Sequence, residues 1–376
     1  MNLKVCKRCV MDSSDSKISF NSDGVCDHCL TFDKKIKKQW DNLKNDSSNI
    51  EKLVRKIKKS NSRHEYNCLM GMSGGVDSSF LLHEMVTKYK LKPLVFHVDA
   101  GWNSQIAVNN IQRVVNKLNL DLYTEVINWK EIKDLQLSFF KSGVPHIDTP
   151  QDHAFFATMY KFAHKNNIKY ILTGANYSTE CIRNPLEWMW YQSDSIQLND
   201  IQEKYGKLKL MNFPITNILW HKIYLPYVKG IKVYNPLNYF EYNKKEAFKI
   251  LEKTYDFQKY PQKHFESRFT KFYESYWLYE RFGFDTRKVQ FSSLILTGQM
   301  TRKEALSLLK QKPYDPKTIH QDFEFVSTKL GITIEQLKLY FDMPKKSYKD
   351  YKSQEYIFNL GAKVLKFLGI EKGGKR

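Results

Sequence analysis

Met70-Gly71-Met72-Ser73-Gly74-Gly75-Val76-Asp77-Ser78-Ser79 is the stretch around which the rest of the chain can be organised. An apolar run from Tyr66 to Met70 precedes it and an amphipathic run from Ser78 to Tyr89 follows. The glycine pair therefore sits where a strand passes into a helix. Two adjacent glycines let the backbone approach an anion closely. A helix N-terminus adds N–H groups without intrahelical partners and a partial positive charge of about +0.5. The hydroxyls of Ser73, Ser78 and Ser79 can donate to phosphate oxygens, and Asp77 can orient the loop or hold Mg²⁺. A bare glycine pair is more often a turn before an N-cap, but Ser-Gly-Gly-x-Asp-Ser between strand and helix points to phosphate. The stretch has neither the Gly-Lys-Ser/Thr of a Walker loop nor a Gly-x-Gly-x-x-Gly dinucleotide fingerprint.

Outward from the loop, short apolar runs alternate with amphipathic ones. The texture predicts strands at Tyr66 to Met70, Pro93 to Val98, Leu122 to Ile127 and Tyr170 to Leu172. Helices are expected at Ser78 to Tyr89, Ser104 to Leu118, Trp129 to Phe140 and Gln151 to Asn166. Such alternation is the signature of an α/β, doubly wound parallel sheet. From about Tyr239 onward the chain has long amphipathic stretches and no convincing strand. We expect three regions: 1–62, a four-cysteine knuckle and a Lys-rich helical segment broken at Asn45 to Ser48; 63–238, the sheet domain; and 239–376, a mostly helical C-terminal region for substrate or partner.

Four of the six cysteines lie in the first thirty residues, as Cys6-Lys7-Arg8-Cys9 and Cys26-Asp27-His28-Cys29. Two CxxC hooks at this spacing each present two thiolates to one ion, the pattern of a closed, structural Zn²⁺ site. Lys7, Arg8 and His28 ease ionisation of the thiols. Disulfides or a redox pair are the competing readings. Cys68 falls in an apolar strand and reads as core. Cys181, beside a second loop, reads as core or as a reactive thiol.

The net charge of +20 would suit a nucleic-acid partner. Arginine, however, supplies only a sixth of the 60 basic residues, and bidentate reading of phosphates and bases favours arginine. We discount nucleic acid without excluding it. No run of about 18 apolar residues occurs, and no apolar segment follows Lys4, Lys7 and Arg8 as a signal peptide would require. A cytoplasmic protein with no membrane span is expected.

The loop resembles the PP-loop of the ATP pyrophosphatase superfamily, which cleaves ATP between its α and β phosphates and passes AMP to a carbonyl or amide oxygen. The resemblance implies that Ser73, Gly74, Gly75, Val76, Asp77, Ser78 and Ser79 hold ATP with Mg²⁺. It implies further that His97-Val98-Asp99-Ala100-Gly101-Trp102-Asn103 lies near adenine and ribose, so His97, Asp99 and Gly174 join the nucleotide site. Leu172-Thr173-Gly174-Ala175-Asn176-Tyr177-Ser178-Thr179-Glu180 is similar to the Gly-Thr-x-Asn-x-(Ser/Thr)-Glu stretch of ammonia-dependent ligases. It differs in the Thr before the Gly and in one extra residue before Glu180. Glu180 is then a Mg²⁺ or acid/base carboxylate, or a helix cap. Ser73, Asp77 and Glu180 are the catalytic candidates.

Nearly the whole chain resembles the N-acetyl sugar amidotransferases of bacterial surface-polysaccharide biosynthesis. The similarity is carried by Cys6 to Asp12, Met72 to Ser79, His97 to Asn103, Thr173 to Asn176, Lys263-His264-Phe265-Glu266-Ser267-Arg268 and Phe282-Gly283-Phe284-Asp285-Thr286-Arg287-Lys288. It implies conversion of an acetamido into an acetamidino group on a nucleotide-linked sugar, with AMP and pyrophosphate released. His264, Glu266, Arg268, Arg287 and Lys288 are candidate sugar-nucleotide ligands, though helix-surface ion pairs would look the same. Residue 2 is Asn2, and neither Cys68 nor Cys181 sits on a Gly-x-Cys-x-Gly elbow, so the chain shows no glutaminase nucleophile. A separate glutaminase and a cyclase-like barrel subunit are the implied ammonia source. The aromatic run Leu186-Glu187-Trp188-Met189-Trp190-Tyr191 reads as core, or as a stacking or partner surface. The competing class is a tRNA-modifying PP-loop enzyme of the thiouridine- or lysidine-synthetase type.

Overall fold

Strands β1 (Cys68–Gly71), β2 (Pro93–Asp99), β3 (Leu122–Val126), β4 (Tyr170–Leu172) and β5 (Lys232–Tyr234) form one parallel sheet in the order β3-β2-β1-β4-β5. The structure is a computed structural model and describes residues 3–60, 65–260 and 264–367. The sheet and the helices on both its faces are the doubly wound architecture expected from the sequence. β5 is an addition. Three residues, Lys-Val-Tyr, at a sheet edge carry no alternation long enough to be recognised.

Alternation along the strands sorts their side chains between two cores. Leu69, Leu94, Phe96, Val98 and Ile171 face one way, into a core completed by helices Trp129–Ser142, Thr149–Lys165 and Ser195–Tyr205 and by the C-terminal region. Cys68, Met70, Val95, Tyr170 and Leu172 face the other way, toward helices Ser48–Ser60, Val76–Thr87, Gln105–Leu118 and Lys244–Tyr255. Residues on both sides of the sheet domain thus pack into the same cores as the sheet. The strand order reverses between β1 and β4, and such a reversal leaves a crevice at the carboxyl ends of the strands.

Side-chain caps fix where the helices start. Ser104 Oγ accepts from Ala107 N at 3.2 Å and Asn128 Oδ1 from Glu131 N at 3.2 Å, each satisfying a donor that the helix leaves unpaired. The Lys-rich segment forms a helical run over 27–44 and a second helix at Ser48–Ser60, parted at the expected Asn45 break. After β5 the regular elements among the described residues are helices joined by loops, and none of the described helices is long and apolar enough to cross a membrane. The aromatic run is core. Trp188 stacks on Phe284 at 5.1 Å, Trp190 on Tyr348 at 3.8 Å and Tyr191 on Phe358 at 3.9 Å.

Candidate functional site

β1 ends at Gly71, the chain turns through 72–75, and the helix Val76–Thr87 begins. Gly74 has φ +83°, and a Cβ on it would lie 2.7 Å from the Ala107 carbonyl oxygen, so no larger residue fits this turn. Ser73 Oγ accepts from Gly75 N at 3.3 Å and lies 3.3 Å from Ser78 Oγ. These two hydroxyls converge where the helix N-terminus opens. Gly174, just past β4, closes the crevice from the other side, since a Cβ there would lie 2.8 Å from Ser78 N. Ser79 is wholly buried, its hydroxyl without a partner among the described residues, which takes it away from the loop mouth.

Asp77 points to a residue far along the chain: the Tyr242 hydroxyl donates to its Oδ1. Burial pushes that hydroxyl well above the usual phenol range, and the charges of Asp77 and Glu180 push the same way. Asp77, Glu180 and Tyr242 thus share one neighbourhood. Glu180 ends the short helix Tyr177–Glu180, whose cap is Asn176, Oδ1 accepting from Thr179 N at 2.8 Å.

The end of β2 supports the loop from below. His97 Nδ1 lies 2.9 Å from the Met72 carbonyl, and its Nε2 lies 2.9 Å from Asn103 Nδ2. A ring donating to the carbonyl and accepting from the amide satisfies both contacts. Asp99 Oδ1 accepts from Gly101 N at 2.7 Å and from Asn103 Nδ2 at 3.0 Å, tying the turn after the strand.

Residues 102–104 also pair with 266–268. Ser104 N donates to Glu266 O and Arg268 N to Trp102 O, both at 2.8 Å, around the antiparallel bridge Asn103–Ser267. This pairing lays the Glu266 carboxyl against Gly75, where a Cβ would overlap Oε1. Burial pushes the Glu266 carboxyl up from its ordinary value. Tyr260 OH donates to Gly74 O at 3.0 Å. A contrast in stability follows. Gly174→Ala meets backbone and is expected to destabilise the fold by about 1–3 kcal/mol, as overpacking does. Gly75→Ala meets side-chain atoms alone, the end of Glu266, which can swing aside, and Ser73 Oγ at 3.3 Å. Paired thermal denaturations should show the larger fall in melting temperature for Gly174→Ala.

The remaining charged candidates are distributed. His264, at φ +67°, has Nδ1 2.9 Å from Glu274 Oε1. The Arg268 guanidinium lies 3.4 Å over the Phe325 ring and 3.9 Å from Asp322. Arg287 is buried against Asp285, with contacts at 2.7 and 2.9 Å, and donates to the carbonyls of Leu308 and Gln311. Lys288 pairs with Asp12 at 2.6 Å. The contacts of Arg287 and Lys288 are ties between segments of the fold, because buried charges need fixed partners. The structure does not bring these two to the loop as it brings Glu266. Lys263, Met1 and Asn2 lie outside the described residues.

Cys6, Cys9, Cys26 and Cys29 are fully buried, and their four sulfurs lie within 4.8 Å of one another. Contacts of 3.6, 3.6 and 3.9 Å match the roughly 3.8 Å edge of a tetrahedron with Zn–S of about 2.3 Å. Backbone N–H groups of Arg8, Cys9 and Cys26 point at Cys6 Sγ at 3.2–3.5 Å. This donor set fits a structural Zn²⁺. The knuckle is bolted to the C-terminal region: Arg302 donates to the carbonyls of Cys6 and Cys9 at 2.8 and 3.0 Å, and Val10 N donates to Ser292 Oγ at 3.1 Å. The neighbouring Ser293 receives Ile182 N at 3.0 Å, and Thr297 Oγ1 donates to Ser178 O at 2.7 Å. Cys181 is buried, and burial pushes its thiol up to about 12. A thiol so held is a poor nucleophile.

Sequence reasoning missed Tyr242 and Tyr260. Each is more than 160 residues from its loop partner, and nothing local distinguishes either from a core tyrosine.

Comparison with known proteins adds the following. Residues 266–365 match the family described as LPS biosynthesis protein WbpG-like, C-terminal domain. The uncharacterized protein MJ1599 of Methanocaldococcus jannaschii is 26% identical over 173 residues, 45% of this chain. The match spans 58% of that relative's length. Among solved structures, NMN synthetase from Francisella tularensis aligns at 14% identity over 79% of this chain and 96% of its own, with a TM-score of 0.34. NH3-dependent NAD synthetase from Campylobacter jejuni aligns at 16% identity over 80% and 99%, with a TM-score of 0.29.

Proposed function

We propose that the chain is an ATP-dependent, AMP-forming amidotransferase that converts the acetamido group of a nucleotide-linked sugar into an acetamidino group. One observation carries this reading. Glu266, the first residue of the segment matching an LPS-biosynthesis family, lies directly on Gly75 of the phosphate loop. A segment of polysaccharide-type sequence and an anion-binding loop thereby face the same crevice. The loop has the groups that a pyrophosphate needs: an open helix N-terminus, two converging hydroxyls, and Gly74 and Gly174 packed against backbone too closely for any side chain.

An acetamide carbon is a poor electrophile, and its oxygen must first become a leaving group. In the proposed reaction that oxygen attacks the α-phosphorus of ATP, forming an O–P bond as the bond to pyrophosphate breaks. Ammonia then adds its lone pair to the carbon, a proton is lost, and AMP departs with the former amide oxygen. Ser73, Ser78 and the first N–H groups of the helix hold the leaving pyrophosphate. Asp77 and Glu180 are a donor set of hard oxygens suited to Mg²⁺, which when bound neutralises phosphate charge. Tyr242 orients Asp77 through its hydroxyl. Glu266 stands where the acetamide would enter. Ammonia comes from a separate glutaminase, through a cyclase-like barrel subunit.

The test supplies Mg-ATP, ammonium and candidate nucleotide-linked acetamido sugars to the purified chain. AMP, pyrophosphate and a sugar lighter by about one mass unit are expected, since O is replaced by NH. With ¹⁸O in the acetamide carbonyl, the label should end in AMP. Formation of ADP with labelled phosphate, or turnover that needs tRNA and ignores sugars, would reject the proposal. Glutamine should not replace ammonium for this chain alone.

A further inference from the structure

Seven of the 21 exposed large apolar side chains among the described residues fall between Leu208 and Val233, a stretch the reaction above does not use. Its centre is the helix Trp220–Val228. Positions 219, 223 and 227 recur every four residues, about one helical turn, and so share a face. That face meets solvent: Leu219 and Ile223 are each 53% exposed and Tyr227 83%, with Val228 beside them at 65%. The opposite face is anchored. Leu225 is buried in the core shared with helix Thr149–Lys165, and His221 stacks on Tyr160 of that helix at 5.6 Å. The rings of Trp220 and Tyr224 meet His164 edge-on at 5.9 and 6.0 Å. An aliphatic stripe fixed in this way from behind, and left in water, marks an interaction surface.

Charge identifies what the surface meets. Residues 204–240 contain no aspartate or glutamate, and neither do residues 153–179, which hold most of the supporting helix, in a chain with 40 such residues. The two stretches carry nine lysines and no arginine. Lys222 lies beside the stripe, Lys161 and Lys165 lie on the helix beneath it, and Lys232 follows on β5, all four exposed. Glu131 and Asp134, which touch the loop 207–213, are buried and accept from the backbone N–H groups of Phe213 and Leu208, so they put no negative charge at the surface. A protein partner is the less fitting occupant, because the cores of protein interfaces are depleted in lysine and enriched in arginine. Aliphatic side chains in the middle, tryptophan and tyrosine at the margin and lysines around them are the composition of a helix that lies in an anionic lipid interface. Lysine stems there run along apolar surface while the ammonium groups stay at headgroup level.

We infer that helix Trp220–Val228 seats the chain on an anionic membrane surface. Leu219, Ile223 and Tyr227 enter the boundary between headgroups and acyl chains, and the surrounding lysines meet lipid phosphates. Such a helix lies on a bilayer and needs no span, and binding through one short stripe and a few lysines is reversible. The inference is independent of the amidotransferase reading.

The test sediments the full chain with vesicles of phosphatidylcholine alone and with vesicles of equal parts phosphatidylcholine and phosphatidylglycerol. Binding should favour the second on the order of a hundredfold, since each lysine near an anionic surface is worth about fivefold. It should weaken as salt is added. Lys222→Gln is expected to lose about one such fivefold factor. Ile223→Ser combined with Tyr227→Ser should lower the partition on the order of tenfold, through lost apolar burial. These side chains lie outside the core, so melting temperatures without vesicles should match the parent, which separates lost binding from lost folding. Equal binding to the two vesicle types, binding to neither, or full binding retained by the Ile223→Ser, Tyr227→Ser variant overturns the inference. A parent that ignores vesicles and forms a dimer in sedimentation velocity, with the same double variant monomeric, overturns it too and makes a second copy of the chain the occupant.

Discussion

Asp77→Ala is expected to lower kcat/KM for ATP on the order of a thousandfold, the scale on which single groups that stabilise transition-state charge act. The fold should survive. The residue sits on a strand-helix junction built from apolar contacts and glycine packing, and its own tie is the Tyr242 hydroxyl. Leaving that buried hydroxyl without an acceptor costs about 1–3 kcal/mol, visible as a modest drop in melting temperature. Asp77→Asn separates the two roles. It keeps an oxygen for Tyr242 and loses the charge, so stability should stay near that of the parent while turnover still collapses. Tyr242→Phe does the reverse, keeping the carboxylate and freeing its orientation, and a smaller fall in turnover is expected. Circular dichroism beside ATP consumption separates these cases. Full turnover in Asp77→Ala would remove the loop from the chemistry.

Replacing Cys9 or Cys26 by Ser should abolish zinc binding and with it stabilisation on the order of 10 kcal/mol, the worth of a four-thiolate structural site. The damage should spread, because the knuckle is a buttress. The carbonyls that receive Arg302 belong to Cys6 and Cys9, and the helix Arg287–Leu296 that receives Val10 also holds the chain after Glu180. Elemental analysis should find one zinc per chain in the parent and in Cys181→Ala, and none in Cys9→Ser with Cys26→Ser. Hydrogen exchange should show 287–296 losing protection in the double variant. Zinc retained by that variant would refute the assignment.

The sheet was readable because β1 and β2 are apolar runs bounded by turn residues, and because glycine pairs and serine caps act on their immediate neighbours. Strand-to-helix texture is a local property of sequence. What completes the crevice is not local. Glu266 reaches Gly75 only because 102–104 pair with 266–268, and Tyr242 finds Asp77 across 165 residues. Neither contact has a period or a spacing. Arg287 and Lys288 show the opposite difficulty, for their charge suggested a ligand site while burial assigns them Asp285 and Asp12. A charged residue in a sequence does not reveal whether its partner is a substrate or its own chain.

The bolt between the knuckle and the C-terminal region also bears on biosynthesis. Val10 and Ser292, joined in the folded protein, are 282 residues apart. At 5–20 residues per second the ribosome releases the second roughly 15–55 s after the first. A CxxC pair can capture its metal as soon as Cys29 emerges, while the surface meant for helix Arg287–Leu296 stays uncovered for most of translation. Closure across such a span is slow for reasons of loop entropy. Nascent chains should therefore pass through a metal-loaded, half-docked intermediate whose exposed apolar face is a target for chaperones.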